Sequence, residues 1–326
     1  MIVAGDVGGT NTRLAFFTMH GEILHYVVEE TFPSRDYTNL VTLVNRFVSS
    51  HHLRPERACF GVAGPVQNGR SEATNLPWIV DARRLAAALH LDHVGLINDL
   101  EAAAYGLATL TPGDYVILNE GNATATGNMA VIAAGTGLGE AGLYWDGRRH
   151  HPFATEGGHA TFAPNTPLQI ELHGHLLREF DHVSWERVVS GPGLHSLYRF
   201  LRDTGRGEEP AWLRQEMHQG DPSAAISRAA LAEKSPLCMQ ALDLFVTLYG
   251  AEAGNLALKI MATGGVFIGG GIAPKILQKL IDGPFMAAFT AKGRLQDLLQ
   301  EIPVRVILND KIGLQGAARL AALHDR

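Results

Sequence analysis

Cysteine is almost missing from this chain. Cys59 and Cys238 are the two that occur, far apart and without metal-ligand spacing. That removes a disulfide scaffold and fits a cytoplasmic protein with reduced thiols. A basic excess is missing as well: 27 Lys and Arg stand against 33 Asp and Glu, a formal net charge of −6. Nucleic-acid binders carry a basic stripe, so no nucleic-acid partner is expected. A nucleotide ligand stays open, because backbone N–H groups hold phosphates without basic side chains. No basic segment followed by a long apolar run opens the chain, and Asp6 interrupts the first apolar residues. Neither a signal peptide nor a membrane span is expected. The GxxxxGK[ST] phosphate loop does not occur. Nor does a dinucleotide fingerprint, since a strand-like run and not a helix follows the first glycine turn.

Glycine, by contrast, is abundant, at 36 of 326 residues. The length favours two domains, because single cores stop growing at about 250–300 residues. The glycines gather beside strand-like runs, where bare backbone lets a ligand approach closely. Ile2-Val3-Ala4 leads into Gly5, Asp6, Val7, Gly8, Gly9 and Thr10, and then into Leu14-Ala15-Phe16-Phe17. Strand, polar glycine turn, strand predicts a hairpin. Ala130 to Ala134, then Gly135, Thr136, Gly137, Leu138 and Gly139, then Ala141 to Trp145 repeat the pattern. Two such hairpins suggest a duplicated architecture. Each glycine turn also has a plain reading, a tight bend whose glycines only supply positive φ.

Between the hairpins the chain alternates helical and extended periodicity, which predicts an α/β sheet. Ala58 to Val62 and Val94 to Ile97 read as strands, and Leu40 to Ser50 and Ala82 to Leu89 as helices. After Pro164 helical patterns dominate through Gly254. A buried strand ending in Gly269, Gly270 and Gly271 follows, then a last strand at Val304 to Leu308 and a last helix at Leu314 to Leu323. The seam is expected near Leu110-Thr111-Pro112-Gly113. Residues 1–110 with 304–326 then make a smaller domain, and 111–303 a larger one. The polar stretch Asn119 to Asn128 reads as a surface loop, and its Asn122-Ala123-Thr124 match to a glycosylation acceptor carries no meaning without a secretory signal.

Three polar clusters carry candidate chemistry. Asp6 stands where a Mg²⁺ ion bridging phosphates can be held through water. Asn98-Asp99 sits where a strand ends and a helix begins. An Asp there is most often a helix cap, yet the carboxyl end of a strand is also where α/β sheets bind ligands. A carboxylate at that point can accept a proton from an attacking hydroxyl. Glu156-Gly157-Gly158-His159 can bond several sugar hydroxyls, although loop polarity or a metal pair reads equally well. Glu186, taken alone, is a solvated helix residue.

Taken together these segments resemble the ATP-dependent bacterial glucokinase family. Gly5-Asp6-Val7-Gly8-Gly9-Thr10-Asn11 is similar to its first phosphate motif, Leu96 to Ala102 to its catalytic-aspartate segment, and Ala134 to Gly139 to its second phosphate motif. Glu156 to Pro164 and Ser184 to Leu194 resemble its sugar-binding segments, and the match runs in order through nearly the whole chain. The resemblance implies a two-domain actin-like ATPase (ribonuclease H-like) α/β fold with a cleft, acting in the cytoplasm as a homodimer on glucose and ATP with Mg²⁺. It implies Asp99 as general base. Asn98, Glu156, His159 and Glu186 are implied as glucose ligands. Gly5 to Thr10 and Gly135, Thr136, Gly137 and Gly139 are implied at the ATP phosphates, with Gly269 to Gly271 along the adenosine side. The related repressor/kinase branch differs by a cysteine-rich zinc motif after its Glu-x-Gly-His segment. Neither cysteine here lies near Glu156 to His159, so no zinc is expected, and with a strand at the very start no DNA-binding domain is expected ahead of it. A kinase for another hexose, an inactive sugar-binding regulator and an actin-like ATPase are the competing readings. Sugar binding is expected to favour a closed arrangement of the two domains.

Overall fold

The alternating side chains of the first strands fix a sheet with two covered faces. The computed structural model describes residues 1–21, 23–72, 76–122 and 124–323. Its chain divides into two units: Met1–Asp114 with His151–Ala154 and Asn309 onward, and Tyr115–His150 with Thr155–Leu308.

In the first unit, β1 (Ile2–Val7) pairs antiparallel with β2 (Asn11–His20), which pairs antiparallel with β3 (Ile23–Pro33). On its other side β1 runs parallel to β4 (Arg57–Val62), and β4 runs parallel to β5 (Gly95–Asn98). The order is therefore β3-β2-β1-β4-β5. Successive residues face opposite ways in a strand. Val3, Leu14, Phe16 and Phe60 accordingly pack with Leu43, Val44 and Phe47 of α1 (Leu40–His51) and Leu85 of α2 (Ala82–Leu89). Ile2, Ala4, Ala15, Phe17 and Cys59 face the other way, onto Ala102 of α3 (Asp99–Gly106) and Leu314, Ala317, Ala318 and Ala321 of the C-terminal helix Ile312–Leu323.

That second face is lined with small residues because two helices meet closely over it. A Cβ on Gly316 would run into the Ala102 carbonyl oxygen, and one on Gly106 into that of Ile312. Bare backbone at both positions is what allows α3 and the C-terminal helix to touch.

In the second unit the strands are β6 (Tyr115–Asn119), β7 (Met129–Ala134), β8 (Leu138–Trp145), β9 (Gly265–Gly269) and β10 (Val304–Ile307). They neighbour one another in the order β8-β7-β9-β10-β6. β7 and β8 form an antiparallel hairpin, β9 is parallel to both β7 and β10, and β10 is antiparallel to β6. The long helix α4 (Pro236–Ile260) buries Leu242, Phe245, Tyr249 and Ala253 in the same core. Cys59 and Cys238 are buried free thiols, one in each unit. Among the described residues no helix is long and apolar enough to cross a membrane.

The Val304–Leu308 segment departs from expectation. The sequence grouped it with the first domain, but its strand belongs to the second unit's sheet. Val304 and Val306 are fully buried and pair with Val266 and Ile268 of β9, so the pairing partner, and not sequence proximity to the last helix, decides its place. The chain returns to the first unit at Asn309, where Asn309 Nδ2 donates to Asp114 Oδ1 at 3.0 Å and its backbone N–H to the Asp114 carbonyl at 3.3 Å. The first crossing falls after Asp114, next to the expected seam at Leu110 to Gly113, and two more flank His151–Ala154. Of the Asn119 to Asn128 stretch, Gly121 (φ 54°) and Asn122 lie on Glu301 and Pro303, the Asn122 N–H donating to the Glu301 carbonyl at 2.8 Å. Ala123, the centre of the glycosylation match, lies outside the described residues.

Replacing Gly316 with Ala tests the helix contact. Ala improves helix propensity by about 1 kcal/mol, but overpacking against the Ala102 carbonyl costs about 1–3 kcal/mol. The urea unfolding midpoint should fall. An unchanged or raised midpoint would show that the two helices separate freely.

Candidate functional site

Asn98 closes β5 and Asp99 opens α3, and the two side chains divide the work at that junction. Asn98 is the cap: its Oδ1 accepts the Leu100 N–H at 2.8 Å, satisfying one of the unpaired donors of the first helical turn. Its Nδ2 donates to the Gly64 carbonyl at 3.1 Å, tying the end of β5 to the loop after β4. Asp99 is the first helical residue, half-buried, with Oδ1 2.9 Å from the same Leu100 N–H. The plain reading of Asp99 as a helix cap is thus taken over by its neighbour.

The first glycine turn lies in the same unit. Gly8 N–H donates to the Asn11 carbonyl at 3.0 Å, and a Cβ on Gly8 would come within 2.9 Å of that oxygen. Ser34 braces the turn: its hydroxyl donates to the Gly8 carbonyl at 2.8 Å and its backbone N–H to the Thr10 carbonyl at 2.9 Å. Asp6 sits at the end of β1, with a carboxyl pushed above the usual range. Burial is the main cause, opposed by Arg13 and assisted by Asp310. Arg13 itself holds the Asp310 carboxylate at 2.7 Å.

The second unit brings the other predicted residues together. Residues 160–162 pair with 183–185: Phe162 N–H donates to the Val183 carbonyl at 2.9 Å and Trp185 N–H to the Ala160 carbonyl at 3.0 Å. That pairing sets the short turn Gly157–His159 beside the short turn Trp185–Arg187. The His159 ring then stands between two carboxylates, Nδ1 3.9 Å from Glu156 Oε2 and Nε2 3.9 Å from Glu186 Oε1. Glu156 and His159 are open to solvent, 69% and 63% exposed at the side chain, so their polar atoms are available to a ligand. Glu186 is a helix residue in sequence pattern but occupies this tight turn, and its second oxygen is committed. Oε2 accepts the Leu138 N–H at 3.0 Å.

Through that bond the sugar-type cluster is fixed to the second glycine turn. Gly137 has no room for a Cβ, because Glu186 Oε2 occupies the space. Gly191 N–H donates to the Gly135 carbonyl at 2.8 Å, a second tie between the same segments. Beneath the turn the Tyr249 hydroxyl accepts the Ala134 N–H at 3.1 Å and reaches the carbonyls of Ile132 and Gly269 at 3.2 and 3.3 Å. Gly270, at φ 83°, lies on the Ala134 backbone, so β7, β9 and the third glycine cluster meet at one point.

The plain reading of the phosphate-type glycines is set aside by their dihedrals. Among the described residues of positive φ, Gly8, Gly9, Gly135, Gly137 and Gly139 do not appear. Close approach by protein explains Gly8 and Gly137, whereas a Cβ on Gly135 would meet nothing within 4 Å; Gly270 alone in the three clusters needs the left-handed region. Sequence reasoning missed Tyr249, Glu140 and Glu252. The latter two are carboxylates whose burial no local pattern announces.

Known proteins resemble the chain over nearly its whole length. The family model described as Glucokinase matches residues 3–324. A glucokinase from Nostoc sp. is 43% identical, with 99% of each chain covered. The solved structure of a glucokinase from an Antarctic psychrotroph superposes with a TM-score of 0.87 at 33% identity, covering 98% of each chain. A ROK family glucokinase from Streptomyces griseus, solved with glucose and AMPPNP, shares the fold at a TM-score of 0.64 and 21% identity, over 98% of this chain and 99% of its own.

The Asn98 assignment predicts a graded response. Asn98→Ala removes the cap and leaves the Gly64 carbonyl without its donor, and should cost about 1–2 kcal/mol in denaturant unfolding. Asn98→Asp keeps the cap and loses only the donor, so it should fall between. Equal losses for both would mean that the cap contributes nothing.

Proposed function

The chain belongs to the glucokinase family, and we propose that it transfers the γ-phosphoryl group of ATP to the C6 hydroxyl of glucose, giving glucose 6-phosphate and ADP. The observation that carries the reading is the bracketed His159, with Glu156 and Glu186 on either side and Glu186 bonded to the second glycine turn. One carboxylate thereby connects a hydroxyl-binding cluster to a phosphate-type loop.

Each residue then has a chemical task. Glu156 and His159 offer exposed acceptors and donors to the sugar hydroxyls, and Glu186 adds the oxygen that Leu138 does not occupy. Asn98 adds a further polar contact from its amide. Asp99 orients the C6 hydroxyl and takes its proton as the new oxygen–phosphorus bond forms and the bond to the ADP oxygen breaks. An ordinary carboxylate is a weak base, so the proton moves late, once charge has already passed to the transferring group. The turns Gly5 to Thr10 and Gly135 to Gly139 hold the phosphates through backbone N–H groups other than those of Gly8, Gly135 and Leu138, which bond Asn11, Gly137 and Glu186, and Gly269 to Gly271 give the adenosine side a flat backbone. Asp6 supplies hard oxygens, suited to the Mg²⁺ that arrives with the nucleotide, and a cation beside it offsets the burial that now disfavours its charge. The duplicated glycine hairpins, action in the cytoplasm and assembly as a homodimer belong to the same proposal and rest on the family resemblance.

A coupled assay over several hexoses and phosphoryl donors tests the reaction. Glucose with ATP should be the preferred pair; a stronger preference for another hexose would transfer the reading to that sugar. Asp99→Asn keeps the shape but lacks the basicity, and should lower kcat by about 10²-fold or more with a smaller change in glucose KM. Near-normal turnover would remove Asp99 from the chemistry. Glu156→Ala and His159→Ala should each raise glucose KM by about 10-fold or more while ATP KM holds, because a hydroxyl left without its partner costs about 1–3 kcal/mol. Equal loss for both substrates would refute the sugar assignment.

A further inference from the structure

Glu140 lies on β8, two residues past Leu138 and on the same inward face, and is 2% exposed. Its position ties it to the Glu156–His159 turn in three ways. Its carbonyl accepts the Thr155 hydroxyl at 3.0 Å, and that hydroxyl oxygen in turn accepts the Gly157 N–H at 3.2 Å. Gly157 rests directly on the Glu140 carboxyl: a Cβ there would strike Oε2 and come within 3.3 Å of the Glu140 Cβ. Glu140 Oε1 is buried with no hydrogen-bond partner. Behind Glu140 stands Glu252 of α4, fully buried. Asn255 Nδ2 donates to it at 2.8 Å and Lys259 Nζ at 2.9 Å.

We infer that Glu140 is a positioning residue for the sugar turn, its buried carboxyl carrying Gly157, and with it Glu156 and His159, in the binding arrangement. The inference rests on the reading of Glu156 and His159 as sugar-binding residues.

The charges around the pair decide which carboxyl keeps the proton. Lys259 neutralises one carboxylate, and it lies on Glu252. Lys292, whose own ionisation is disfavoured by burial, donates to Asn255 Oδ1 at 2.6 Å and to the Ala251 carbonyl at 2.8 Å, bonding neither carboxylate directly. Tyr249, one turn back on α4, stays neutral because burial raises its hydroxyl. From the turn side, Glu156 and His159 face solvent. Glu140 is therefore the acid without a cation of its own. Burial first, and Glu252 second, raise its carboxyl to about 8. Two buried carboxylates cannot both ionise at contact without moving apart. The segment free to yield is the short turn that rests on Glu140.

The linkage follows in sign. The carboxyl is raised in the folded state from 4.5 to about 8, so its stabilising contribution is complete below 4.5, declines as pH rises and is gone above about 8. The binding-competent fraction follows the neutral form and falls to about one tenth at pH 9.

The test measures glucose KM from pH 6.5 to 9.5 on the intact enzyme and on Glu140→Gln, which is neutral at every pH and keeps a donor. For the native enzyme glucose KM should rise about tenfold between pH 7 and 9 while ATP KM stays level. For the Gln variant glucose KM should stay within about twofold of the native value at pH 7 and remain level to pH 9. A flat native profile, or a variant with the same alkaline rise, overturns the inference. Melting temperature from pH 5 to 8 gives a readout independent of turnover: it should fall more steeply for the native protein than for the variant, and parallel curves overturn the inference. If no hexose is phosphorylated, the proposed reaction fails while the melting comparison still decides whether Glu140 carries the turn as a neutral group. Should Glu140→Gln not fold, the native glucose profile decides.

Discussion

The hydrogen bond from the Leu138 N–H to Glu186 Oε2 joins segments 48 residues apart, and much of the second unit is arranged around it. It is charge-assisted, since a carboxylate accepts it, and such bonds are roughly twice as strong as neutral ones. It also orients: with Oε2 held, Oε1 is directed at His159. Space for the carboxylate exists only because Gly137 has no side chain, and the Trp185–Arg187 turn is held in turn by the Ser190 hydroxyl, which donates to the Glu186 carbonyl at 2.7 Å. Each of these features ties the second glycine turn to the Trp185–Arg187 turn.

The same device recurs wherever two segments must approach closely. Gly157 on Glu140, Gly270 on Ala134, Gly106 on Ile312 and Gly316 on Ala102 all present bare Cα atoms to a partner that fills the place of a side chain. Packing at that density leaves no slack to absorb a methyl group. The high glycine count therefore serves protein–protein approach inside each unit as much as any approach by ligand.

Local pattern made the strands and helices legible, and left their partners illegible. The Asn98-Asp99 junction followed from a change of periodicity, but Asn and Asp cap helices about equally well, so the pattern could not say which one caps. Val304 to Leu308 was readable as a strand. Its sheet was not, because pairing with Val266 and Ile268 is decided some 38 residues away. Glu186 reads as a solvated helix position because the residue that engages it, Leu138, lies in another segment. Glu140 and Glu252 look like ordinary surface acids in a chain rich in them, and only the fold buries them side by side. What sequence conveys directly is the backbone's local preference; the environment of a side chain arises from contacts distant in the chain.

The C-terminal helix has a consequence for how the protein is made. One face of the first unit's sheet, with Ile2, Ala4, Ala15 and Phe17, is covered by Leu314, Ala317 and Ala321. The strands that open the sheet leave the ribosome some 300 residues ahead of this cover. During synthesis that apolar face has at most α3 over it for the time taken to translate roughly 300 further residues, about 15–60 s at usual elongation rates. The segment from Tyr115 to Leu308 has by then emerged, so the second unit can mature while the first still waits. The first unit thus completes its core only after the chain of the second has been made.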